Sequence, residues 1–160
     1  MQPASTAPET LFSSIGGSYS IAWAFDSCGG GMWHSYDPDA PPFLNNLETV
    51  DETMGVWLLM SAADTLSVSG AQPESASIPL CTGWNLVGFP SAAARSVEDA
   101  LASINGCYDI VWCYDAAQAA WHSYDPDAPP FLNSLTQLEP GRGCWILTSQ
   151  DCTWTVPYTP

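Results

Sequence analysis

Hydrophobic and polar positions alternate along most of the chain in short runs rich in aromatic and β-branched residues, with Gly, Pro and Asp between the runs. A period of two predicts strands over residues 19–25, 55–60, 66–69, 84–89, 108–114, 144–148 and 153–156. One stretch follows a helical period instead. Ser96 can accept a hydrogen bond from the backbone N–H of Asp99, and Val97, Leu101 and Ile104 then share one face, so a short helix is predicted that Asn105-Gly106 ends. Residues 8–14 form a weaker equivalent, with Leu11 and Ile15 turned inward. The fold class that follows is α+β, predominantly β, with short antiparallel strands and one small helix in each of two units.

Two units are required because the chain repeats itself. The 13-residue segment WHSYDPDAPPFLN stands at 33–45 and again, unchanged, at 121–133. Looser matches flank it: Ile21, Trp23, Phe25 and Asp26 align with Ile110, Trp112, Tyr114 and Asp115, and Gly55, Trp57 and Leu59 with Gly143, Trp145 and Leu147. The predicted organisation is a Pro-rich arm (1–8), a first unit (9–70), a linker carrying a shared strand segment (71–91) and a second unit (92–160). Strands around 78–89 open the second unit and have no counterpart before the first. The arm lacks β-branched alternation and is not expected to replace them. An open sheet edge should therefore exist, and a fold can hide it by packing both units around the shared strands. Otherwise a neighbouring protomer fills it with the arm or the tail (153–160), which would build a filament or array and order those segments only on assembly.

At these positions the chain resembles repeat modules of large bacterial extracellular and cell-surface proteins, whose pattern runs GWNLVG, then YDP..PP..N.L, then PG.GYWI. The matching residues are Gly83-Trp84-Asn85-Leu86-Val87-Gly88, 97–104, 108–115, 121–133, 138–143 and Trp145-Ile146. The resemblance covers 78–157 fully and 10–70 in part, and implies a surface-exposed structural or adhesive module with no catalytic precedent. Cys144 replaces the aromatic usual before Trp145, and residues 50–55 of the first unit depart from the Pro-Gly turn.

Composition narrows the partners. With 17 acidic residues against two basic ones and a net charge of −15, the chain repels phosphate backbones, which excludes nucleic acid and polybasic membrane docking. No apolar run approaches the roughly 20 residues of a spanning helix, so no membrane insertion is expected. Six cysteines without a CxxC pair suit neither zinc nor a reducing cytosol as well as disulfides in an extracellular protein. Cys113 and Cys144 replace Ala24 and Val56 of the first unit, and a joint replacement suggests that they touch and bond. Cys107–Cys152 and Cys28–Cys81 are the remaining expected pairs.

Three constellations could carry chemistry. Asp37 and Asp39, and again Asp125 and Asp127, place hard oxygen ligands on Pro-stiffened loops that suit Ca²⁺, or else cap turns. His34 and His122 each precede a serine but lack a third, orienting partner. Trp33 and Trp121 are the tryptophans expected to be exposed and able to stack on a sugar, while most other aromatics recur in both units as a duplicated core would. The expected function is a non-enzymatic extracellular structural or adhesion module of a bacterial cell surface, self-assembling into a filament or array. Its partners would be further copies of itself or cell-surface components, glycans among them. The alternative is a secreted carbohydrate- or Ca²⁺-dependent binding module, with Ca²⁺ the sole candidate cofactor.

Overall fold

Antiparallel ribbons hang on two eight-residue strands, one in each repeat, in a computed structural model that describes residues 1–158. The last two residues of the expected second unit and tail lie outside the described residues. The elements are β1 (Gln2–Pro3), α1 (Pro8–Leu11), β2 (Tyr19–Asp26), β3 (Met32–Tyr36), β4 (Val56–Met60), β5 (Gly70–Ala71), β6 (Ser75–Leu80), β7 (Gly83–Gly88), β8 (Arg95–Ser96), α2 (Val97–Ala100), β9 (Tyr108–Asp115), β10 (Ala120–Tyr124), β11 (Gln137–Leu138), β12 (Gly143–Thr148) and β13 (Cys152–Pro157). The predominantly β, α+β class is the one observed. No helix among the described residues is long and apolar enough to cross a membrane.

The duplication is visible strand by strand. The first unit forms a sheet ordered β3-β2-β4, and the second forms β10-β9-β12 with β7 added beyond β12. Trp23 faces Trp57 and Ala24 faces Val56 across β2 and β4, while Trp112 faces Trp145 and Cys113 faces Cys144 across β9 and β12. Each α-helical turn continues into a 3-10 turn, Ser13–Ile15 or Ala102–Ile104. In the second unit Ser96 caps α2 as predicted, its hydroxyl accepting from the Asp99 N–H at 3.2 Å.

Three expectations are corrected. The segments following Trp33 and Trp121, expected as loops, are the edge strands β3 and β10, whose side chains are partly exposed on both faces and so show no clean alternation. Residues 66–69 are not a strand, because the ladder that holds β13 against β6 has no equivalent in the first unit. The arm supplies a short substitute: β1 pairs with β5, Ala4 N–H donates to the Ser69 carbonyl at 2.9 Å, and the Met1 ammonium bonds the Tyr158 hydroxyl. The arm is thus ordered within one chain and needs no assembly.

The linker strands belong mainly to the second unit, β7 pairing with β12 and β6 with β13. Backbone bonds from the first unit reach β7 towards one end, where Gly55 N–H donates to Leu86 O at 3.3 Å and Gly88 N–H to Thr53 O at 2.9 Å. A Cβ on Gly55 would stand 2.8 Å from the Leu86 side chain and 2.9 Å from the Val87 nitrogen, so this approach needs glycine. Beyond it β4 keeps only β2 as a ladder partner among the described residues. The consequence is exposed apolar surface: Leu66 and Val68 are 40% and 37% exposed, whereas their repeat equivalents Trp154 and Val156 are both 0%.

Each unit has its own core. Phe12, Ile15, Tyr19, Ala22, Ala24, Leu47 and Val50 fill the first. The second is larger because β6 and β13 cover it, and Trp154 sits there stacked on Phe89 at 5.9 Å with its indole N–H donating to Ala100 O at 2.7 Å. Asn85, also buried, organises the turn between β6 and β7, accepting from the Cys81 N–H at 3.0 Å and donating to the Cys81 carbonyl at 2.8 Å. That turn presents Cys81 to Cys28, joining the units (Cα–Cα 5.4 Å), while Cys113 and Cys144 bond within the second (Cα–Cα 4.4 Å).

The third expected disulfide is absent, since Cys107 and Cys152 are free thiols. Cys107 Sγ lies 3.1 Å from the Gln150 side-chain amide nitrogen, and burial together with the adjacent Cys107 pushes the Cys152 thiol up to about 11. A thiol held protonated starts disulfide exchange slowly. Thiol titration of the unfolded, unreduced protein should therefore count two cysteines. In the native protein at pH 8, iodoacetamide should modify Cys152 roughly tenfold more slowly than a free cysteine, the scarcer thiolate outweighing its greater nucleophilicity. Rapid, complete labelling would contradict that placement.

Burial also raises the phenols of Tyr108 and Tyr158 to about 12. A phenol that holds its proton more tightly when folded contributes stability present below its free value near 10 and lost as pH rises through 12. Thermal stability should consequently fall between pH 10 and 12. Ultraviolet titration should show these two ionising after the more exposed tyrosines; a simple titration of all six near pH 10 would refute it.

Candidate functional site

Strand alternation decides where the tryptophans go. Ala22 and Ala24 of β2 point into the first core, which leaves Ile21, Trp23 and Phe25 on the opposite face of the sheet. In the second unit Val111, Cys113, Cys144 and Ile146 point inward, leaving Trp112, Tyr114 and Trp145 on the other side. The expectation of a duplicated tryptophan core is corrected by this geometry. Of the eight tryptophans only Trp154 lies wholly within a core.

The two outward faces meet, and they meet reciprocally. Phe25 and Trp33 contact Trp145 at ring-centroid distances of 5.3 and 5.8 Å, and their equivalents Tyr114 and Trp121 contact Trp57, the equivalent of Trp145, at 5.4 and 5.5 Å. A contact that maps onto itself when the partners exchange roles is the signature of two-fold symmetry, here internal and approximate. Interplanar angles from 47° to 71° tilt these rings against one another, so they form walls and not a flat strip.

These rings line two shallow, open hollows. Trp23, Trp33 and Trp57, contributed by three adjacent strands, line the first. Their equivalents Trp112, Trp121 and Trp145 line the second together with Phe25 and Trp84. Trp84 is on β7, which the first unit lacks. Trp33, Trp121 and Trp84 are 47%, 45% and 42% exposed, so the pair expected at the surface from the sequence is at the surface. Trp23, Trp57, Trp84, Trp112 and Trp145 were not anticipated as site residues, though their alternation with Ala22, Ala24, Val111, Cys113 and Ile146 already separates a small or aliphatic face from an aromatic one.

The acidic loops are held by short-range hydrogen bonds. Asp37 N–H donates to Asn45 Oδ1 at 2.9 Å and Asp39 N–H to Asp37 Oδ1 at 2.9 Å, with the matching bonds at Asp125, Asn133 and Asp127 measuring 2.9 and 2.8 Å. Identical segments adopt one conformation. Asp37 and Asp125 therefore act as turn acceptors, and no group of three or more His, Cys, Asp or Glu side chains among the described residues is gathered to hold a metal. The loops end in Phe43 and Phe131, 83% and 85% exposed.

His34 Nδ1 lies 3.1 Å from the Asn46 carbonyl, and His122 faces Cys113 across β9 and β10. Near His122, backbone N–H groups of Gln118 and Ala117 and the Arg142 guanidinium hold the Asp115 carboxyl below its usual range. Arg142 itself is bonded to Glu139 at 2.9 Å.

Comparison with known proteins returns no matching family model, no matching curated protein and no matching solved structure.

Proposed function

We propose that this chain is a non-enzymatic extracellular adhesion module of a bacterial cell surface, and that it holds its target on the aromatic face shared by the two units. The observation that carries the reading is the pair of hollows walled by tryptophan, with Trp33, Trp84 and Trp121 between 42% and 47% exposed. Large apolar side chains left together at a surface are unfavourable in water unless a partner covers them. The two disulfides support a compartment outside the cytosol, where such bonds persist.

Retention of intact bacterial cells on immobilised protein tests this. The double variant Trp33→Leu/Trp121→Leu should lose retention while its far-ultraviolet circular dichroism shows that it still folds. Equal retention by parent and variant would remove the aromatic face from the function.

Self-assembly is the second reading, supported by the single-sided pairing of β4 and by Leu59 exposed at 54% beside it. An unpaired strand edge templates another chain, although a charge of −15 on every copy opposes the association. Sedimentation velocity at rising protein and salt concentration should then show oligomers favoured by salt. A monomer throughout would leave adhesion by single modules.

A further inference from the structure

Resting on the adhesion reading, we propose that the two aromatic hollows are cages for a quaternary ammonium group, so that each chain binds two trimethylammonium-bearing ligands. The argument starts from what the hollows contain. Both are lined by aromatic side chains alone: Trp23, Trp33 and Trp57 in one, and Phe25, Trp84, Trp112, Trp121 and Trp145 in the other. A ligand that fits must tolerate a lining with no carboxylate, amide or hydroxyl side chain. A pyranose can lay its C–H face on such rings, but its hydroxyls gain no side-chain partner from a lining that offers at most an indole N–H each. A quaternary ammonium group meets the condition, since it carries a full positive charge and has no N–H to satisfy.

The chemistry of the walls agrees. An aromatic face attracts a cation through its quadrupole, and indole does so more strongly than phenyl or phenol. In the second hollow Phe25 and Trp84 incline to Trp145 by 56° and 90° and Trp112 inclines to Trp121 by 79°, so ring faces meet a rounded group from several sides, whereas coplanar rings would suit a flat one. Charge complementarity points the same way. The chain carries −15 with only two basic residues, and Arg142 is occupied by Glu139 and Asp115, so the surrounding field draws cations and repels anionic ligands. Internal symmetry places equivalent tryptophan triads in both units, which sets the expected stoichiometry at two.

The test is a titration of the full chain with choline, followed by intrinsic tryptophan fluorescence and calorimetry, alongside 3,3-dimethylbutan-1-ol, its uncharged isostere of the same shape. Choline should bind at two sites and weaken with added salt, and the isostere should bind at least roughly tenfold more weakly. Trp33→Leu and Trp121→Leu should each remove one site, while Trp33→Phe and Trp121→Phe retain binding because a ring face remains. Since Trp33 and Trp121 also touch rings of the other unit, an unchanged far-ultraviolet circular dichroism spectrum of the Leu variants separates lost recognition from lost folding.

Equal affinity for choline and the isostere would overturn the proposal, as would binding of a neutral oligosaccharide such as cellohexaose without binding of choline. No binding of choline at either site overturns it as well. Cosedimentation with phosphatidylcholine vesicles would assign the group to a lipid headgroup; choline binding without cosedimentation would assign it to a soluble or polymer-linked source. Should the Leu variants lose cell retention while choline has no effect, the cage falls and the adhesion face stands. If retention survives those variants, the aromatic face is not the adhesive surface, whatever choline does.

Discussion

Replacing Trp154 with alanine is expected to cost about 3–5 kcal/mol and to unfold the second unit at room temperature or slightly above it. Trp154 is fully buried, stacks on Phe89 and donates its indole N–H to the Ala100 carbonyl at 2.7 Å, tying β13 to the helical segment beneath it. Alanine would leave a large cavity and an unpaired carbonyl together. The equivalent position in the first unit provides the control. Leu66 is 40% exposed, and Leu66→Ala should cost no more than about 0.5 kcal/mol. Urea denaturation of both variants measures the contrast, and a loss below about 1 kcal/mol for Trp154→Ala would mean that the core of the second unit is built differently.

The second large effect concerns the covalent link between the units. Cys28–Cys81 closes 53 residues, and removing it as Cys28→Ser/Cys81→Ser should cost about 4 kcal/mol by loop entropy. The physical consequence reaches beyond that figure. The first unit has the smaller core, a sheet edge with little cover, and, apart from the reciprocal aromatic contacts, a few backbone bonds between residues 53–55 and β7 to hold it to its neighbour. Without the disulfide, calorimetry should resolve an early transition for the first unit ahead of the second. One cooperative transition at the parental temperature would show instead that the reciprocal aromatic contacts alone couple the units. The 113–144 loop does not overlap the 28–81 loop, so removing both disulfides should give nearly additive losses.

Several features were legible in the sequence for reasons that are local. Ser96 and Asp99 specify a helix start within four residues, and Ala24 and Val56 against Cys113 and Cys144 reveal a cross-strand pair because repetition supplies a second copy to compare. The Asp-Pro-Asp loops adopt one conformation twice since their bonds run between near neighbours, such as Asp37 and Asn45. Other features resisted reading. The strands β3 and β10 lie at sheet edges with both faces partly in water, so residues 33–36 and 121–124 lack the alternation that marks a half-buried strand. Cys107 and Cys152 completed an even count and looked like a pair, yet bonding depends on Sγ placement, which spacing along the chain does not encode.

By itself the sequence determined the duplication, the β-rich class, the acidic surface and the Cys113–Cys144 bond, because each follows from residue order, charge or a comparison between copies. Tertiary structure alone decided which unit would own the shared strands, how the arm would be used, and which sheet face the tryptophans would occupy. A period of two says that Trp23 and Ala24 point in opposite directions, but not which direction is the core. That choice is made when the small Ala22 and Ala24 let helix-side residues such as Phe12 and Ile15 close over one face. The tryptophans are left on the other face, to meet their own duplicates across an internal two-fold and wall the two hollows.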